Sequence, residues 1–552
     1  MDERNNTDMR RKGSRSPDVM IFGSGACAQK IAANLNDHGI HAWLAAREDS
    51  PPSPRRGDGL HWLSGIELSI CRGFAKNFDL KLRRGNLYVD QHVPAIVLAE
   101  DDHRSPNYAP YGLEPNPRVL SISALEEKIH HVSPQDWFDS GARIVFLCGW
   151  QNDSHPAIAQ RMLTGCLHSQ RQSGLATYFM TGNLKVAASG AEALVQAAKR
   201  AGALFLKFTR DYPTIQTLAD GRFEIHYLDE LTRTPFQFRA DWIVVDETIE
   251  PGQHLEALAH RLAITQDDLG FAQSDNVHRL SNATNRRGVF VAGGSRGILS
   301  EEEQLADADQ VTMNVLAYLQ DLDVEPLPAV EIVRGRCVRC LTCHRLCPHE
   351  AIEIGQRISV VAGACQSCGI CVASCPARAI EMEGMQIGPD IYRWLRKAVV
   401  AEAIPKDPPL VMVFGCARSA GQALALSRQT GHVLPMGVQF VEVPCGGTIS
   451  SHHLLTAFDA GADGVMLCIC HTGNCRSEIG NQVARKRADS VRILLKEAGV
   501  DDSRLNIASV AANMGNEFIF MINAFADRIK ARNPSSLPPA PDPATAWAPA
   551  SF

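Results

Sequence analysis

Short apolar runs alternate with helical patterns in the first part of the chain. The run that ends at Phe22 leads into Gly23-Ser-Gly25-Ala-Cys-Ala28, after which apolar residues recur at helical spacing. A further apolar run covers residues 41–45. Strand, glycine turn, helix and strand in this order predict a Rossmann-like βαβ unit.

The glycine turn has the pattern that a dinucleotide needs. Gly23 would make the turn, Gly25 would let the backbone approach a pyrophosphate, and Ala28 would allow close packing at the N-terminus of the helix. The next strand of such a unit normally ends in an acidic residue that binds the ribose, but here it ends in Ala46, followed by Arg47 and Glu48. Either Glu48 replaces that acid, or nucleotide binding is altered and the domain has lost its ligand.

Further apolar runs predict buried strands at residues 144–148, 176–180 and 242–246. Another strand ends at Gly293-Gly294, and a helical pattern follows over Leu305 to Leu319. This arrangement resembles the motif that closes the FAD site in flavoproteins of the glutathione reductase type. An aspartate usually follows the first glycine of that motif, and Gly294 takes its place; the alternative is an ordinary βα unit.

One cysteine pattern occurs twice in the middle of the chain, as Cys337-x2-Cys340-x2-Cys343-x3-Cys347-Pro348 and as Cys365-x2-Cys368-x2-Cys371-x3-Cys375-Pro376. This spacing is typical of bacterial ferredoxins, in which the fourth cysteine of each run binds the other [4Fe–4S] cluster. We therefore predict one cluster held by Cys337, Cys340, Cys343 and Cys375, and another held by Cys365, Cys368, Cys371 and Cys347. Zinc sites or disulfides are the alternatives, but they do not need so long a repeat.

Three apolar runs in the last part of the chain each end at a cysteine. They lead to Cys416, to Cys445 and to Cys468-Ile-Cys470, and Cys475 follows shortly after. In a parallel sheet these cysteines would share the carboxyl edge, where α/β folds build their sites. Cys416, Cys445, Cys470 and Cys475 are the predicted ligands.

Composition describes an ordinary globular protein of 552 residues with 45% hydrophobic residues and a net charge of −6, which gives no reason to expect nucleic acid as a partner. No apolar stretch is long enough for a membrane span, and no signal peptide follows the charged start. Thiolate clusters usually belong to a reducing compartment, so we expect a cytoplasmic location. Cys27, Cys71, Cys148 and Cys166 are interpreted as structural thiols.

The residues in these segments carry a family resemblance. Residues 142–149, 183–186 and 202–207 resemble the flavin-containing A subunit of heterodisulfide reductases, and residues 275–293 are most similar to the B subunit of the quinone-interacting membrane-bound oxidoreductase complex. The last domain resembles the delta subunit of the methyl-viologen-reducing hydrogenase through its Cys-His-x-Gly-x-Cys motif at Cys470 to Cys475. That family has a second cysteine three residues after Cys416, where this chain has Ser419. The site therefore either keeps four thiolates, with Cys468 competing for a place, or has lost its iron.

The resemblance implies an α/β multidomain protein with a Rossmann-like FAD-binding domain of the glutathione reductase type, an inserted α+β ferredoxin module and a C-terminal α/β parallel-sheet domain. FAD would be held by Gly23, Gly25, Ala28, Arg47, Gly293 and Gly294. The implied segments are a flexible arm (1–16), the FAD-binding domain (17–328), the 2[4Fe–4S] module (329–385), a linker (386–409), the delta-subunit-like domain, which would carry a [2Fe–2S] cluster (410–533), and a disordered tail (534–552).

The implied role is electron transfer between FAD, two [4Fe–4S] clusters and a [2Fe–2S] cluster inside a heterodisulfide-reductase-like or quinone-interacting complex. Membrane contact, at the inner face, would come only through partner subunits. The sequence contains no convincing acid–base pair, so no catalytic residue is assigned. The alternatives are a self-contained flavoenzyme that oxidises NAD(P)H, which would need a second dinucleotide turn near Gly149 or Gly182, and a scaffold with an inactive flavin site.

Overall fold

A computed structural model describes residues 18–47, 61–131, 138, 141–171, 175–184, 188–272, 282–320, 330–361, 364–383 and 409–531. The predicted arm at 1–16, the predicted tail at 534–552, almost all of the predicted linker and Glu48 lie outside these residues. None of the helices in the described ranges combines the length and the hydropathy needed to cross a membrane.

The described residues between 18 and 320 form two groups of β-strands and α-helices. The strands are β1 (Val19–Phe22), β2 (Ala42–Ala45), β3 (His61–Leu63), β4 (Glu67–Phe74), β5 (Asn77–Arg84), β6 (Leu87–Val93), β7 (Ala95–Leu98), β8 (His103–Pro106), β9 (Val119–Ser121), β10 (Arg143–Cys148), β11 (Ala176–Thr181), β12 (Leu204–Lys207), β13 (Thr214–Thr217), β14 (Phe223–Leu228), β15 (Pro235–Ala240), β16 (Trp242–Val245), β17 (Glu247–Glu250) and β18 (Val289–Val291). The helices are α1 (Ala26–Asp37), α2 (Ile122–His131), α3 (Pro156–Arg171), α4 (Ala191–Ala201), α5 (Leu255–Leu262) and α6 (Glu301–Leu319).

The first sheet is parallel and has the strand order β18-β7-β1-β2-β3. All four residues of β1 are buried, as expected for a parallel strand that is covered on both faces. Helices α1 and α6 pack on one face of this sheet, and the antiparallel sheet β4-β5-β6 packs with α5 on the other. A capping box between Ser300 and Glu303 satisfies the first amides of α6 and fixes its start.

A second parallel sheet lies within the segment that was predicted to be a single FAD-binding domain. Its strand order is β12-β11-β10-β16-β9, with α2, α3 and α4 on one face and the antiparallel sheet β13-β14-β15 on the other. The antiparallel pair β8 and β17 lies between the two sheets along the chain. The strands that we predicted at residues 144–148, 176–180 and 242–246 are β10, β11 and β16 of this second sheet.

The remaining described residues form a small α+β unit and a parallel α/β domain. Their strands are β19 (Val330–Ile332), β20 (Ile352–Ile354), β21 (Ile358–Val360), β22 (Ile380–Met382), β23 (Val411–Cys416), β24 (Val438–Val443), β25 (Gly464–Ile469) and β26 (Leu505–Ser509). Their helices are α7 (Thr342–Leu346), α8 (Ile370–Ser374), α9 (Gln422–Gln429), α10 (Ser451–Asp459), α11 (Gly480–Glu497) and α12 (Gly515–Ala531).

The backbone of the small unit repeats along with its cysteines. Residues with positive φ occur in pairs at the same separation as Cys337 and Cys365: Arg339 with Ser367 (54° and 48°), Leu341 with Gly369 (61° and 70°), and Glu350 with Arg378 (51° and 47°). A positive φ is costly for residues other than glycine, so its recurrence at corresponding positions indicates one loop geometry used twice. Each half consists of a cysteine loop, a short helix and a strand.

The C-terminal domain is a parallel sheet with the strand order β24-β23-β25-β26. Helices α9 and α12 cover one face, and α10 and α11 cover the other. The carboxyl ends of β23, β24 and β25 therefore lie side by side, and the cysteines that follow these strands share one edge.

Candidate functional site: three groups of thiols and a glycine loop

Four buried thiols meet at the carboxyl edge of the C-terminal sheet. Cys416 ends β23, Cys445 lies just after β24, Cys470 follows β25 directly, and Cys475 returns to the same place after a turn. The Sγ atoms of Cys416 and Cys470 are 3.7 Å apart, and those of Cys445 and Cys475 are 4.0 Å apart. All four belong to one packed cluster, and each is at most 4% exposed. They border a cavity of about 280 Å³.

The two sulfur pairs have a spacing that suits metal coordination. Two sulfurs bound at about 2.3 Å to one tetrahedral metal lie about 3.8 Å apart. The Cys416–Cys470 and Cys445–Cys475 distances of 3.7 and 4.0 Å are close to that value. All 17 cysteines of the chain are free thiols in the structure. The donor set thus fits an iron–sulfur cluster in which each of two irons takes one pair.

Within this group the thiols differ in acidity. Hydrogen bonding from Cys470 lowers the pKa of Cys416 to about 7, although burial opposes the shift. Hydrogen bonds from Cys445 and Cys470 likewise lower the pKa of Cys475. The pKa values of Cys445 and Cys470 are raised, chiefly by hydrogen bonding with the sulfurs of Cys475 and Cys416. Each pair therefore already contains one sulfur that favours the thiolate form that metals bind.

Ser419 faces the four thiols, whereas Cys468 does not. Ser419 is buried in the turn after Cys416, and the Cys470 thiol lies 3.5 Å from its hydroxyl. Cys468 lies in the hydrophobic core under α9 and α12, and burial raises the pKa of its thiol. His471 is exposed, and its carbonyl accepts a hydrogen bond from Asn481 at 2.8 Å. These positions leave the four predicted cysteines as the thiols of this edge.

The thiols of the first ferredoxin run lie together with the last thiol of the second run. Cys337, Cys340, Cys343 and Cys375 line one pocket. Burial raises the pKa of the Cys343 thiol, and the nearby sulfurs of Cys375 and Cys340 raise it further. Cys340 is exposed, so this group reaches the protein surface.

The remaining four ferredoxin thiols form a more buried group. Burial raises the pKa of Cys371, and the neighbouring thiols of Cys368, Cys347 and Cys365 add to the shift. The amide of Ala351 donates to the Cys347 sulfur at 3.3 Å, and the equivalent amide of Ala379 donates to Cys375 at 3.2 Å. Cys347 lies near the thiols of the second run, and Cys375 lies with those of the first.

This second ferredoxin group touches the four thiols of the C-terminal domain. Cys368 packs against that cluster and lines the same cavity. The hydroxyl of Thr448 donates to the carbonyl of Cys368 at 2.8 Å. Arg487 joins the two domains, because its guanidinium donates to the carbonyls of Gly447 and Ile449 and to the hydroxyl of Ser374. Neither Thr448 nor Arg487 is predicted from the sequence, since their partners are distant along the chain.

The glycine loop after β1 keeps the backbone of a nucleotide cradle. Gly23 has φ +149°, and a Cβ on it would lie 2.0 Å from the carbonyl oxygen of Ala99. Ala28 is buried in α1. Arg47 lies near this edge, where its guanidinium is 3.0 Å from Nδ1 of His254. A Cβ on Gly293 would lie 2.9 Å from the sulfur of Cys27, which explains the glycine at that position.

An acidic segment that belongs to none of the predicted motifs lies at this loop. Glu100, Asp101 and Asp102 directly follow the buried run that contains β7. A Cβ on Gly25 would lie 1.8 Å from Oδ1 of Asp101, so the carboxylate fills the space that the glycine leaves open. Burial, and then the charge of Asp101, raise the pKa of Glu100 to about 7. Three consecutive acids after an apolar run are visible in the sequence, but their position over Gly25 depends on tertiary structure.

The corresponding turn of the second sheet is also occupied. The amide of Gly149, directly after β10, donates to the carboxylate of Asp246 at 3.0 Å and is 3.1 Å from the hydroxyl of Tyr111. Trp150 is buried there, and its ring makes edge contacts with the rings of Tyr111 and Phe208. The amide that would face a phosphate in a dinucleotide site is thus already satisfied by protein groups.

Besides Cys468, four further cysteines lie away from the three thiol groups. Cys27 packs against Gly293, and burial raises its pKa to about 12. Cys71 lies 3.7 Å from the guanidinium of Arg286. Cys148 and Cys166 belong to the core under the second sheet. These environments agree with the interpretation of the four as structural thiols.

Comparisons with known proteins match two parts of the chain. A family described as the methyl-viologen-reducing hydrogenase delta subunit matches residues 411–532. The chain is 30% identical over 322 residues to the A subunit of the ferredoxin:CoB-CoM heterodisulfide reductase of Methanosarcina mazei, which covers 57% of this chain and 40% of that protein. It is 33% identical over 103 residues to the iron-sulfur D subunit of the F420-non-reducing hydrogenase of Methanococcus voltae, which covers 19% of this chain and 72% of that protein.

Among solved structures, the thioredoxin reductase of T. acidophilum aligns with 56% of this chain and all of that chain, at 13% identity and a TM-score of 0.39. The chain spans only two fifths of the length of the heterodisulfide reductase subunits it matches.

Proposed function

We propose that the chain is an oxidoreductase subunit that transfers electrons. It resembles the A subunit of heterodisulfide reductases, and its C-terminal domain matches the family of the methyl-viologen-reducing hydrogenase delta subunit. The observation that carries this proposal is the order of the three thiol groups. One reaches the surface at Cys340, the thiols of the second are partly buried, and the second touches the third through Cys368. A series of neighbouring groups is what an electron relay requires.

We propose iron–sulfur clusters and FAD as the cofactors. The ferredoxin thiols would hold two [4Fe–4S] clusters in the crossed sets given above. Cys416 with Cys470, and Cys445 with Cys475, would each hold one iron of a [2Fe–2S] cluster. FAD would bind at the glycine loop of the first sheet. When bound, the clusters carry single electrons and a flavin converts between two-electron and one-electron transfer.

The chain's own residues would keep the relay in place. Thr448 and Arg487 fix α8 against the turn after Cys445, which holds the two inner thiol groups in contact. Cys340 remains accessible to a partner protein.

We propose that the partners are other subunits of a heterodisulfide-reductase-like complex and that this complex is linked to membrane quinone. Pull-down of the tagged chain from native membranes tests the second part. Recovery of only hydrogenase or formate dehydrogenase subunits, with no membrane-bound subunit, would contradict the quinone link.

The electron donor that reduces the clusters should distinguish a relay subunit from a self-contained enzyme that oxidises NAD(P)H. The second parallel sheet gives the latter a possible site, but Asp246 and Trp150 occupy its turn. In anaerobic stopped flow, we expect reduced methyl viologen to bleach the iron–sulfur absorbance of the intact chain. NADH and NADPH should leave the spectrum unchanged over the same time. Rapid bleaching by NADH or NADPH alone would show that the chain oxidises the nucleotide itself, and it would refute the proposal that the chain only relays electrons.

The surface group should have the higher reduction potential of the two ferredoxin groups. Arg345 donates to the carbonyl of Cys340 at 3.2 Å, and Arg339 is held by the carbonyls of Gly355 and Gln356. Nearby cations favour the more negative reduced state, whereas burial of the other group disfavours it.

We expect Arg339→Gln or Arg345→Gln to lower the potential of the surface group by roughly 10–40 mV, the effect of one partly screened charge. Redox titration followed by EPR measures this shift. Arg485→Gln, on α11 beside Ser509, is the matched control and should leave that potential unchanged. Equal potentials in all three variants and the wild type would refute the assignment.

A further inference from the structure

The carboxylate of Asp101 lies where a dinucleotide pyrophosphate would bind. Its two oxygens are 1.8 and 2.4 Å from the position of a Cβ on Gly25, the residue that precedes α1. A helix N-terminus attracts anions, and a glycine at this point lets the pyrophosphate approach the backbone. Carboxylate and phosphate cannot occupy that space together.

The neighbouring charges also oppose a pyrophosphate. Glu100 and Asp102 flank Asp101. Three nearby cations are directed to other carboxylates: Arg104 donates to Asp102 at 2.9 Å, Arg296 donates to Asp307 at 3.1 Å, and Lys30 pairs with Asp309 at 2.8 Å. Arg47 also lies near Glu100, with its guanidinium 3.0 Å from Nδ1 of His254. A pyrophosphate at Gly25 would therefore lie against the Asp101 carboxylate, with Arg47 as the cation left to offset that charge.

The backbone of the acidic segment closes the opposite side of the loop. A Cβ on Gly294 would lie 2.5 Å from the amide nitrogen of Asp102 and 3.0 Å from the carbonyl oxygen of Glu100. An aspartate, the residue usual at this position in the flavoprotein motif, therefore has no room. The hydroxyl of Ser295 accepts a hydrogen bond from the Glu100 amide at 2.8 Å and fixes this packing.

The second sheet shows the same arrangement independently. There the carboxylate of Asp246, from the end of a neighbouring strand, accepts the amide of Gly149. In both sheets an acidic side chain from an adjacent strand end thus occupies the first glycine turn. In this chain, therefore, a carboxylate occupies the position of a phosphate at the first turn of both parallel sheets.

We propose that Asp101 is the residue that controls nucleotide occupancy of the first sheet, so that FAD binds this chain only when the Asp101 carboxylate is displaced. This inference rests on the proposed FAD-binding role of that sheet. Asp101 is exposed, so its displacement needs no unfolding, and the chain should be isolated with far less than one FAD per molecule.

The test is a fluorescence titration of the full-length, cluster-loaded chain with FAD. Asp101→Ala removes the carboxylate from Gly25 and should tighten FAD binding about tenfold, as expected for an anion removed from a helix N-terminus. Asp101→Asn keeps the shape and removes the charge, and it should give a smaller gain. Asp102→Asn is the matched control: it removes the same charge from a carboxylate that faces Arg104 and Gln304 instead of Gly25, and it should raise FAD affinity less than Asp101→Asn does.

Either of two results would overturn the proposal: one tightly bound FAD per wild-type chain, or equal FAD affinity in the wild type and both Asp101 variants. If Asp101→Ala fails to fold, as judged by its thermal unfolding, Asp101→Asn decides the question. Iron content and cluster EPR are recorded on the same samples. Loss of clusters from the wild type would contradict the electron-transfer function and leave the result on FAD unaffected.

Discussion

Replacement of Cys445 by alanine is expected to abolish the EPR signal of the C-terminal cluster and to reduce iron content by about two atoms per chain, the content of one [2Fe–2S] cluster. Cys445 is 4% exposed, and its sulfur lies 4.0 Å from that of Cys475. The nearby Ser419 hydroxyl lies beside Cys470, within the other sulfur pair. Among the described thiols, the packed group contains Cys416, Cys445, Cys470 and Cys475, with Cys368 at its margin. A replacement thiol for Cys445 would therefore have to come from the ferredoxin module.

Cys468→Ala is the control for this experiment, because it removes an equally buried thiol from the same sheet. Cys468 lies in the core under α9 and α12, and its loss should cost stability of about 1 kcal/mol without loss of iron. The signals of the two ferredoxin groups should persist in both variants. A Cys445→Ala chain that retained the [2Fe–2S] signal, or a Cys468→Ala chain that lost it, would show that the ligand set is wrong.

The sequence predicts these thiols well because local pattern and topology agree. Apolar runs that end in cysteines become β23, β24 and β25, and a parallel sheet places their carboxyl ends at one edge. The choice between Cys468 and Cys470 follows from where the strand ends, at Ile469. Cys468, within β25, points into a core, and Cys470 directly follows the strand at its edge. The repeated cysteine run likewise predicts the repeated loops, and the structure places Cys375 beside the first run and Cys347 beside the second.

What the sequence did not predict depends on contacts between distant residues. In the sequence, Glu100 to Asp102 are three consecutive acidic residues with no evident role. Only the pairing of β7 with β1 in the sheet places them beside Gly25. The contact between Thr448 and Cys368 joins two domains across 80 residues. The sequence predicts three strands of the second parallel sheet but does not show that they form a separate sheet. Gly149 is followed by Trp150 instead of a glycine-rich turn, so no nucleotide-binding motif marks the start of that sheet. Local periodicity carries no information about such neighbours.

The exchange of the fourth cysteines has a consequence that separates it from uncrossed ligation. If each run held its own cluster, Cys375→Ala would damage the buried group that contains Cys371. In the structure Cys375 lies with Cys337, Cys340 and Cys343. The thiols near Cys371 are those of Cys368, Cys347 and Cys365. The two arrangements therefore predict opposite outcomes for one substitution.

We expect Cys375→Ala to remove the EPR signal of the surface group, the one whose potential responds to Arg345→Gln, and to leave the buried group intact. Cys347→Ala should do the reverse, and it should also impair electron transfer to the C-terminal group, because Cys347 lies in the group that contains Cys368. Each substitution removes one thiol whose sulfur accepts an equivalent backbone amide, from Ala379 or Ala351, so each variant controls for the other. If Cys375→Ala removed the buried signal and Cys347→Ala the surface signal, ligation would be uncrossed. Loss of both signals in both variants, with a lowered unfolding temperature, would mean instead that the module folds only with both clusters bound.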